Sequence, residues 1–437
     1  MGVAAVIEPL VVVTLLFGGT WINRRSRRPS HLDQVSSKDY EPESPGSQQS
    51  YGSRSTSPDP ENLANPPPML SFFGQRRSRV ISILGFSWKV ETPCTKIFEE
   101  RLLSRVLRKF PFLVECWYWA LVYWTYQIGR AITAMTLKEE TVDVARHHAL
   151  QVIWLEEKLG LFVEVSLQGW LLKRPLLMAC VNWIYSFIHI PGTIAFLVGL
   201  YYYTTTRNET TEYRPLKPWY AQERPAGPAL YQDRRRTLAM CNFLAFIVFT
   251  LWPCMPPRLL SDASVETPDG EAGRKYGFVD TVHGADGVGS VWTQNRFCNQ
   301  YAAMPSLHFG YSLLIGLSIM TIPLESPSHG RGGSKELPRR YTLWHWRRVL
   351  CVVLGFLYPF IILLAIITTA NHFVLDAVAG MVVCGLGWWL NGALLNLLPL
   401  EDYFLWLLRI HKPESSTRGT QVCSADSYSC RQSSEAR

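Results

Sequence analysis

The chain has 437 residues, 48% of them hydrophobic and 13% aromatic, and a formal net charge of +8. Its apolar residues gather in runs of about 18 or more, each long enough to cross a hydrocarbon core of roughly 30 Å, which excludes a string of soluble domains of about 150 residues each. The Lys and Arg lie in short clusters beside those runs, as topology signals do, which speaks against nucleic acid as a partner; the ten Cys, without a CxxC pair, indicate neither a zinc site nor a disulfide framework.

In chain order, Met1 to Trp21 is apolar and is followed at once by Arg24, Arg25, Arg27 and Arg28. A cleaved secretory signal has the reverse charge order, so residues 1–22 are expected to be an uncleaved membrane anchor. Residues 23–110 are expected to form a disordered cytosolic loop. Their centre, 29–68, is rich in Ser, Pro, Gln and charge and cannot bury enough surface to offset backbone ordering. A membrane-embedded domain is expected over 111–410 and a disordered cytosolic tail over 411–437. Spans are expected near 3–21, 111–135, 176–203, 237–253, 306–322, 348–369 and 372–397. Between the second and third, Thr141 to Leu172 alternates apolar residues with His147, His148, Glu156, Glu157, Lys158 and Glu164, the pattern of helices lying on a membrane surface. The predicted fold is all-α, a polytopic membrane protein with about seven transmembrane helices.

Basic residues near the span ends set the orientation. Arg24 to Arg28, Arg101, Arg105, Arg108, Lys109, Arg234 to Arg236, Arg339, Arg340, Arg347, Arg348, Arg409 and Lys412 all fall in one set of loops, which is read as cytosolic. The one Asn-x-Ser/Thr sequon, Asn208-Glu209-Thr210, lies in that set and is expected to stay unmodified. The opposite set contains 254–305, where Cys254 and Cys298 permit a disulfide.

Two segments on the face away from the cytosol carry ionisable groups, which are costly at the ends of apolar helices and so are functional candidates. In Asn299 to Tyr311, Pro305 is expected in the first turn of a helix that opens with Ser306 and His308. In Thr368 to Gly380, His372 and Asp376 stand four residues apart and are expected to share a helix face. Span parity brings both segments, and the Pro-Pro-Arg segment ending in Arg258, to one membrane surface. A lone His at a helix end is more often a cap, and an isolated His/Asp pair is more often structural. Together on one face they point to phosphoryl transfer through a phosphohistidine. A neutral imidazole attacks phosphorus, a carboxylate fixes its tautomer, and a second, protonated imidazole gives its proton to the departing alkoxide. Free N–H groups at a helix N-terminus can cradle the phosphate, and no metal or cofactor is required. His147, His148, His189 and His283 read as structural or interfacial.

Met304-Pro305-Ser306-Leu307-His308 and His372-Phe373-Val374-Leu375-Asp376 resemble the second and third signature motifs of the phosphatidic acid phosphatase type 2 superfamily. Within it the chain is most similar to the fungal inositolphosphotransferase branch, that of inositol phosphorylceramide synthase. Trp252-Pro253-Cys254-Met255-Pro256-Pro257-Arg258 and Gly277-Phe278-Val279-Asp280-Thr281-Val282 support the likeness, which covers roughly 110–400. The resemblance implies a six-helix phosphatase-type catalytic core, with His372 as nucleophile, Asp376 as its orienting carboxylate and His308 as general acid. It also implies membrane lipids as partners, phosphatidylinositol and ceramide above all, in the Golgi or endoplasmic reticulum with a luminal site. Two departures stand out: the first motif, a Lys followed at fixed spacing by Arg-Pro, is not present in that form, and Ile366 stands where the third motif carries Arg. Phosphate binding is therefore assigned to Arg258 and Ser306, with Arg296 and Lys275 as weaker candidates. Hydrolysis by water is the alternative reaction, and a catalytically inactive membrane scaffold the alternative class.

Overall fold

The computed structural model describes residues 4–25, 76–83, 85–136, 139–207, 227–282, 300–324 and 346–413. In chain order its elements are α1 (Ala4–Ile22), β1 (Arg76–Ile83), β2 (Phe86–Pro93), α2 (Leu102–Lys109), α3 (Phe112–Thr136), α4 (Glu139–Leu159) and α5 (Glu164–Leu172). There follow α6 (Pro175–Trp183), α7 (His189–Tyr201), α8 (Pro228–Leu251), α9 (Pro268–Arg274), α10 (Leu307–Thr321), α11 (Trp346–Thr368), α12 (Val374–Leu390) and α13 (Leu398–Leu408). They divide into two compact units, Met1–Asn23 with Phe112–Asn396, and Arg24–Pro111 with Leu397–Arg437.

In the larger unit each of the seven expected spans falls on a helix. Among the described residues three helical runs are long and apolar enough to cross a membrane, Pro175–Thr206, Trp346–Thr368 and Val374–Leu408; Pro9–Ile22 and Leu307–Thr321 are apolar but shorter. The Pro175–Thr206 run is not a plain α-helix: Ile184–Ile188 and Tyr202–Thr206 are π-helical turns. Pro191 accounts for the first, since its ring lacks an N–H and crowds the carbonyl four residues back. Close packing around α10 rests on glycines. A Cβ on Gly316 would lie 2.2 Å from the Gly355 carbonyl oxygen of α11, and one on Gly380 of α12 would lie 2.3 Å from the Ser306 carbonyl oxygen. Such contacts let helix backbones approach where lipid offers no hydrophobic drive to association.

The segment expected to lie on a membrane surface forms α4 and α5. Ala145, Ala149, Val152 and Glu156 recur on one stripe of α4 and are buried, with Ile153 beside them. They pack against Cys254, Met255, Leu260, Ala303, Ala370 and Phe373.

In the smaller unit the elements from Arg76 to Lys109 correct that part of the loop expected over 23–110, and the expectation of an all-α chain. β1 and β2 pair antiparallel from Arg76↔Pro93 to Ile83↔Phe86, turning through Gly85 at φ 88°. Val80, Ile81 and Ile83 before that turn and Phe86, Trp88 and Val90 after it are a hairpin signal, overshadowed by the polar composition upstream. Arg79 holds both carboxylate oxygens of Asp402 at 2.7 and 2.9 Å, and Thr92 donates to the same carboxylate at 2.8 Å, which fastens the hairpin to α13. The start of the expected tail is packed too: the His411 N–H donates to Ser104 Oγ at 2.9 Å. Cys94 is buried and disulfide-bonded, although the Cys spacing indicated no disulfide framework, while Cys254, for which a disulfide was permitted, is a free thiol. Residues 29–68, Asn208, His283, Arg296, Cys298 and the tail beyond residue 413 lie outside the described residues.

Candidate active site

Three loop segments and two helix starts converge. After α8, Cys254 pairs with the chain before α10: the Cys254 N–H donates to Tyr301 O at 2.8 Å and the Ala303 N–H to Cys254 O at 3.0 Å. His148 of α4 supports this loop, with Nδ1 2.7 Å from the Pro253 carbonyl oxygen and its ring stacked on Trp252. The Arg258 N–H then bonds Ala370 O at 2.8 Å, tying the loop to the turn that ends α11.

That turn is tight. The N–H groups of Asn371 and His372 both return to Ile366 O at 3.1 Å, and Ala370 takes the left-handed conformation at φ 53°, a cost of roughly 1 kcal/mol for a residue with a Cβ. The chain leaves it with Phe373 as the N-cap of α12. His372 is therefore not on the helix, contrary to the shared-face expectation. It meets Asp376 because the Asp376 carboxylate folds back over the first turn, accepting the Phe373 N–H at 2.9 Å.

His372 is buried and its two ring nitrogens have distinct surroundings. Nδ1 lies 2.8 Å from Ala303 O and 3.4 Å from Asp376 Oδ2, both acceptors, so it carries the proton. The carbonyl is the closer partner, and the wholly buried carboxylate acts chiefly through its charge. Nε2 is left with its lone pair and faces His308 Nδ1 at 3.4 Å. His308 sits one residue into α10, which opens at Ser306; Pro305 precedes the helix instead of standing in its first turn. The Ser306 hydroxyl, buried, accepts the Phe309 N–H at 3.3 Å, and the Ser306 N–H donates to Asp376 O at 2.9 Å, locking the starts of α10 and α12 together.

Arg258 lies beside this pair. Its Nε donates to Asn371 Oδ1 and its Nη1 to Asp280 Oδ2, each at 3.0 Å. A cation thus reaches the turn before His372 from a different segment, while Ile366, where the superfamily motif has Arg, is fully buried in the core. Lys275 is exposed at the end of α9.

Sequence reasoning missed several neighbours. His189 follows the first π-helical turn, a local distortion frequent at functional sites. Its ring centroid is 4.7 Å from that of His308, and its Nδ1 is buried without a hydrogen-bond partner among the described residues. A signal existed: Met178, Val181, Tyr185 and His189 recur at helical spacing inside an apolar run, where an ionisable group is a functional candidate. Glu156 and Glu164 are fully buried and accept the Leu375 and Val374 N–H groups at 2.7 and 2.9 Å. Glu156 betrays itself by falling on the apolar stripe of α4. Asn371 is uncharged and carried no signal of its own, and Asp280 entered the sequence reading only as part of the Gly277–Val282 segment, without a role.

A protein-family model described as the PAP2 superfamily matches residues 150–214, 225–326 and 339–390, just over half of the chain, and takes in His189, Arg258, His308, His372 and Asp376. No curated protein and no solved structure matches the chain.

Proposed function

Since the chain belongs to the PAP2 superfamily and is an enzyme of the phosphatase or phosphotransferase type, we propose that it moves an inositol-phosphate or similar head group from a glycerophospholipid to a lipid alcohol such as ceramide. The observation that carries this reading is the His308–His372 contact of 3.4 Å, with the far nitrogen of His372 held as a donor. In the first step the Nε2 lone pair of His372 bonds phosphorus while the bond from phosphorus to the glycerol oxygen breaks. His308, carrying a second proton, gives it to that oxygen and diacylglycerol leaves. The positive charge gained by His372 is stabilised by Asp376 at 3.4 Å. In the second step the acceptor hydroxyl loses its proton to His308 as its oxygen bonds phosphorus, and the nitrogen–phosphorus bond breaks. A phosphoryl group enters as His308 swings off His372, since catalytic contacts in free enzymes differ from those around substrate.

Arg258 supplies the cation that the superfamily motif would place at Ile366. Its Asn371 and Asp280 contacts fix the guanidinium, whose remaining N–H groups hold phosphate oxygens. The first turn of α10 adds backbone N–H groups at the same point, while the Ser306 hydroxyl serves as helix cap. Turnover of phosphatidylinositol and ceramide supplied together, with products resolved by mass spectrometry, tests the reading. Inositol phosphorylceramide with diacylglycerol is expected, and none from His372→Ala. Free inositol phosphate, formed equally well without ceramide, would instead assign water as the acceptor.

A further inference from the structure

The first turn of α12 is gripped by carboxyl groups. The N–H groups of Phe373, Val374 and Leu375 go to Asp376, Glu164 and Glu156, at 2.9, 2.9 and 2.7 Å. A helix N-terminus leaves these donors without intrahelical partners, so a single aspartate or a serine cap would have met one of them. Here α4 and α5 deliver two more acceptors from outside, across the turn at Gly160 (φ 67°). α5 also grips the other side of the catalytic turn: Gln168, one helical turn after Glu164, donates to Thr368 O at 3.3 Å. The segment from Thr368 to Leu375, with His372 at its centre, is thus bracketed by α4 and α5.

Two buried carboxylates side by side would repel, and Asp376 adds a third. The second oxygens, Glu156 Oε2 and Glu164 Oε2, are buried and, as acceptors, have no hydrogen-bond partner among the described residues. The two carboxyls clasp adjacent N–H groups of one turn, and acceptors set so close are compatible only if a proton lies between them, which makes Glu164 a hydrogen-bond partner of Glu156. The Glu156 carboxyl is accordingly pushed up to about 9, by burial first and then by its bond to Glu164 and the nearby charges of Glu164 and Asp376. The groups facing the pair are Asp376 from α12 and the Cys254 thiol from the loop after α8. One proton shared between two carboxyls leaves one negative charge at the positive end of α12, a favourable arrangement.

We infer that Glu156 and Glu164 work as one proton-sharing unit that fixes the first turn of α12 and thereby sets His372 and Asp376 for attack. They are positioning residues for a reaction they do not touch. The inference rests on His372 as the nucleophile.

The test uses the full chain in detergent, with phosphatidylinositol and ceramide, measuring kcat, KM and thermal stability against pH. Glu156→Gln keeps the oxygen for Leu375 and gives Glu164 an N–H in place of the shared proton, so kcat should stay within about threefold of wild type. Glu156→Ala, and the double variant Glu156→Gln with Glu164→Gln that sets two amide donors face to face, should lower kcat by about 10- to 100-fold with KM little changed, as misplacement of reacting groups does. Linkage gives an independent sign. Glu156 is raised in the folded state, so its contribution is present below the unfolded value of 4.5 and is lost as pH rises through about 9. Wild-type Tm should therefore fall over that window more steeply than that of Glu156→Gln, by the slope of one proton. Equal kcat in the single and double Gln variants, with equal Tm slopes in wild type and Glu156→Gln, would overturn the inference even if Glu156→Ala does not fold. Turnover surviving in His372→Ala would instead overturn the phosphohistidine reading on which it stands.

Discussion

At the scale of single residues, Arg258 is the cation proposed to hold phosphate in place of the motif position that Ile366 occupies. Lys would keep the charge there, but it offers a point donor where the guanidinium spans Asn371 and Asp280 in one plane. Arg258→Lys is therefore expected to lower kcat/KM by about 10- to 100-fold, the worth of one or two charge-assisted hydrogen bonds, without loss of the folded state. Steady-state kinetics beside a thermal melt would check it; wild-type kcat/KM would show that Arg258 only anchors the loop. How the sequence signalled these residues varies with their chemistry. His308, His372 and Asp376 were legible because ionisable side chains at the ends of apolar runs stand out. His189 was visible by the same rule, but it lies inside the expected span 176–203, and its nearness to His308 depends on a π-helical turn that spacing alone does not reveal. Asn371 was hidden because its role is to bond Arg258, a partner 113 positions away.

At the scale of elements, the site is an agreement between helix starts. α10 and α12 touch where Gly380 meets Ser306, and that contact sets the Ser306 N–H on Asp376 O. Gly380→Ala would press a methyl to 2.3 Å from a backbone carbonyl, and no side-chain rotation relieves it. The helices must part, at a cost of about 1–3 kcal/mol by analogy with overpacked cores. The larger effect is expected on turnover, since His308 rides on α10 and His372 on the turn before α12. A melt lowered by several degrees with kcat reduced at least tenfold is the expected pattern for a strain of that size; unchanged kcat would mean that the contact is packing alone. The helices themselves were largely legible, each expected span coinciding with one. The hairpin was not, because composition averaged over residues 23–110 hides two eight-residue strands. Nor was the left-handed turn at Ala370, where a Gly would have announced it.

At the scale of the whole molecule, the orientation of the helices decides which compartment the site faces. Within the larger unit the ends of α8 and α11 and the starts of α10 and α12 carry the site, while Arg235 at the start of α8 pairs with Glu115 at the start of α3, 2.6 Å apart. Arg234 to Arg236 mark that end of α8, and under the proposed orientation, argued from the positive-inside rule, it would face the cytosol and the site the lumen. Asn208 falls in sequence between Arg207 and the start of α8 and would then be cytosolic. Residues 24–111 join the end of α1 to the start of α3, and the disulfide of Cys94 in that stretch is the one observation on the other side, because disulfides persist mainly in oxidising compartments. The two arguments meet in one experiment. Expression in a glycosylating cell, followed by glycosidase treatment of wild type and Asn208→Gln, should give identical mobilities, because glycosylation acts on luminal chain alone. A glycosidase-sensitive shift lost in Asn208→Gln would place that loop in the lumen, make sense of an oxidised Cys94, and turn His308 and His372 toward the cytosol. The acceptor lipid would then have to be drawn from the cytosolic leaflet.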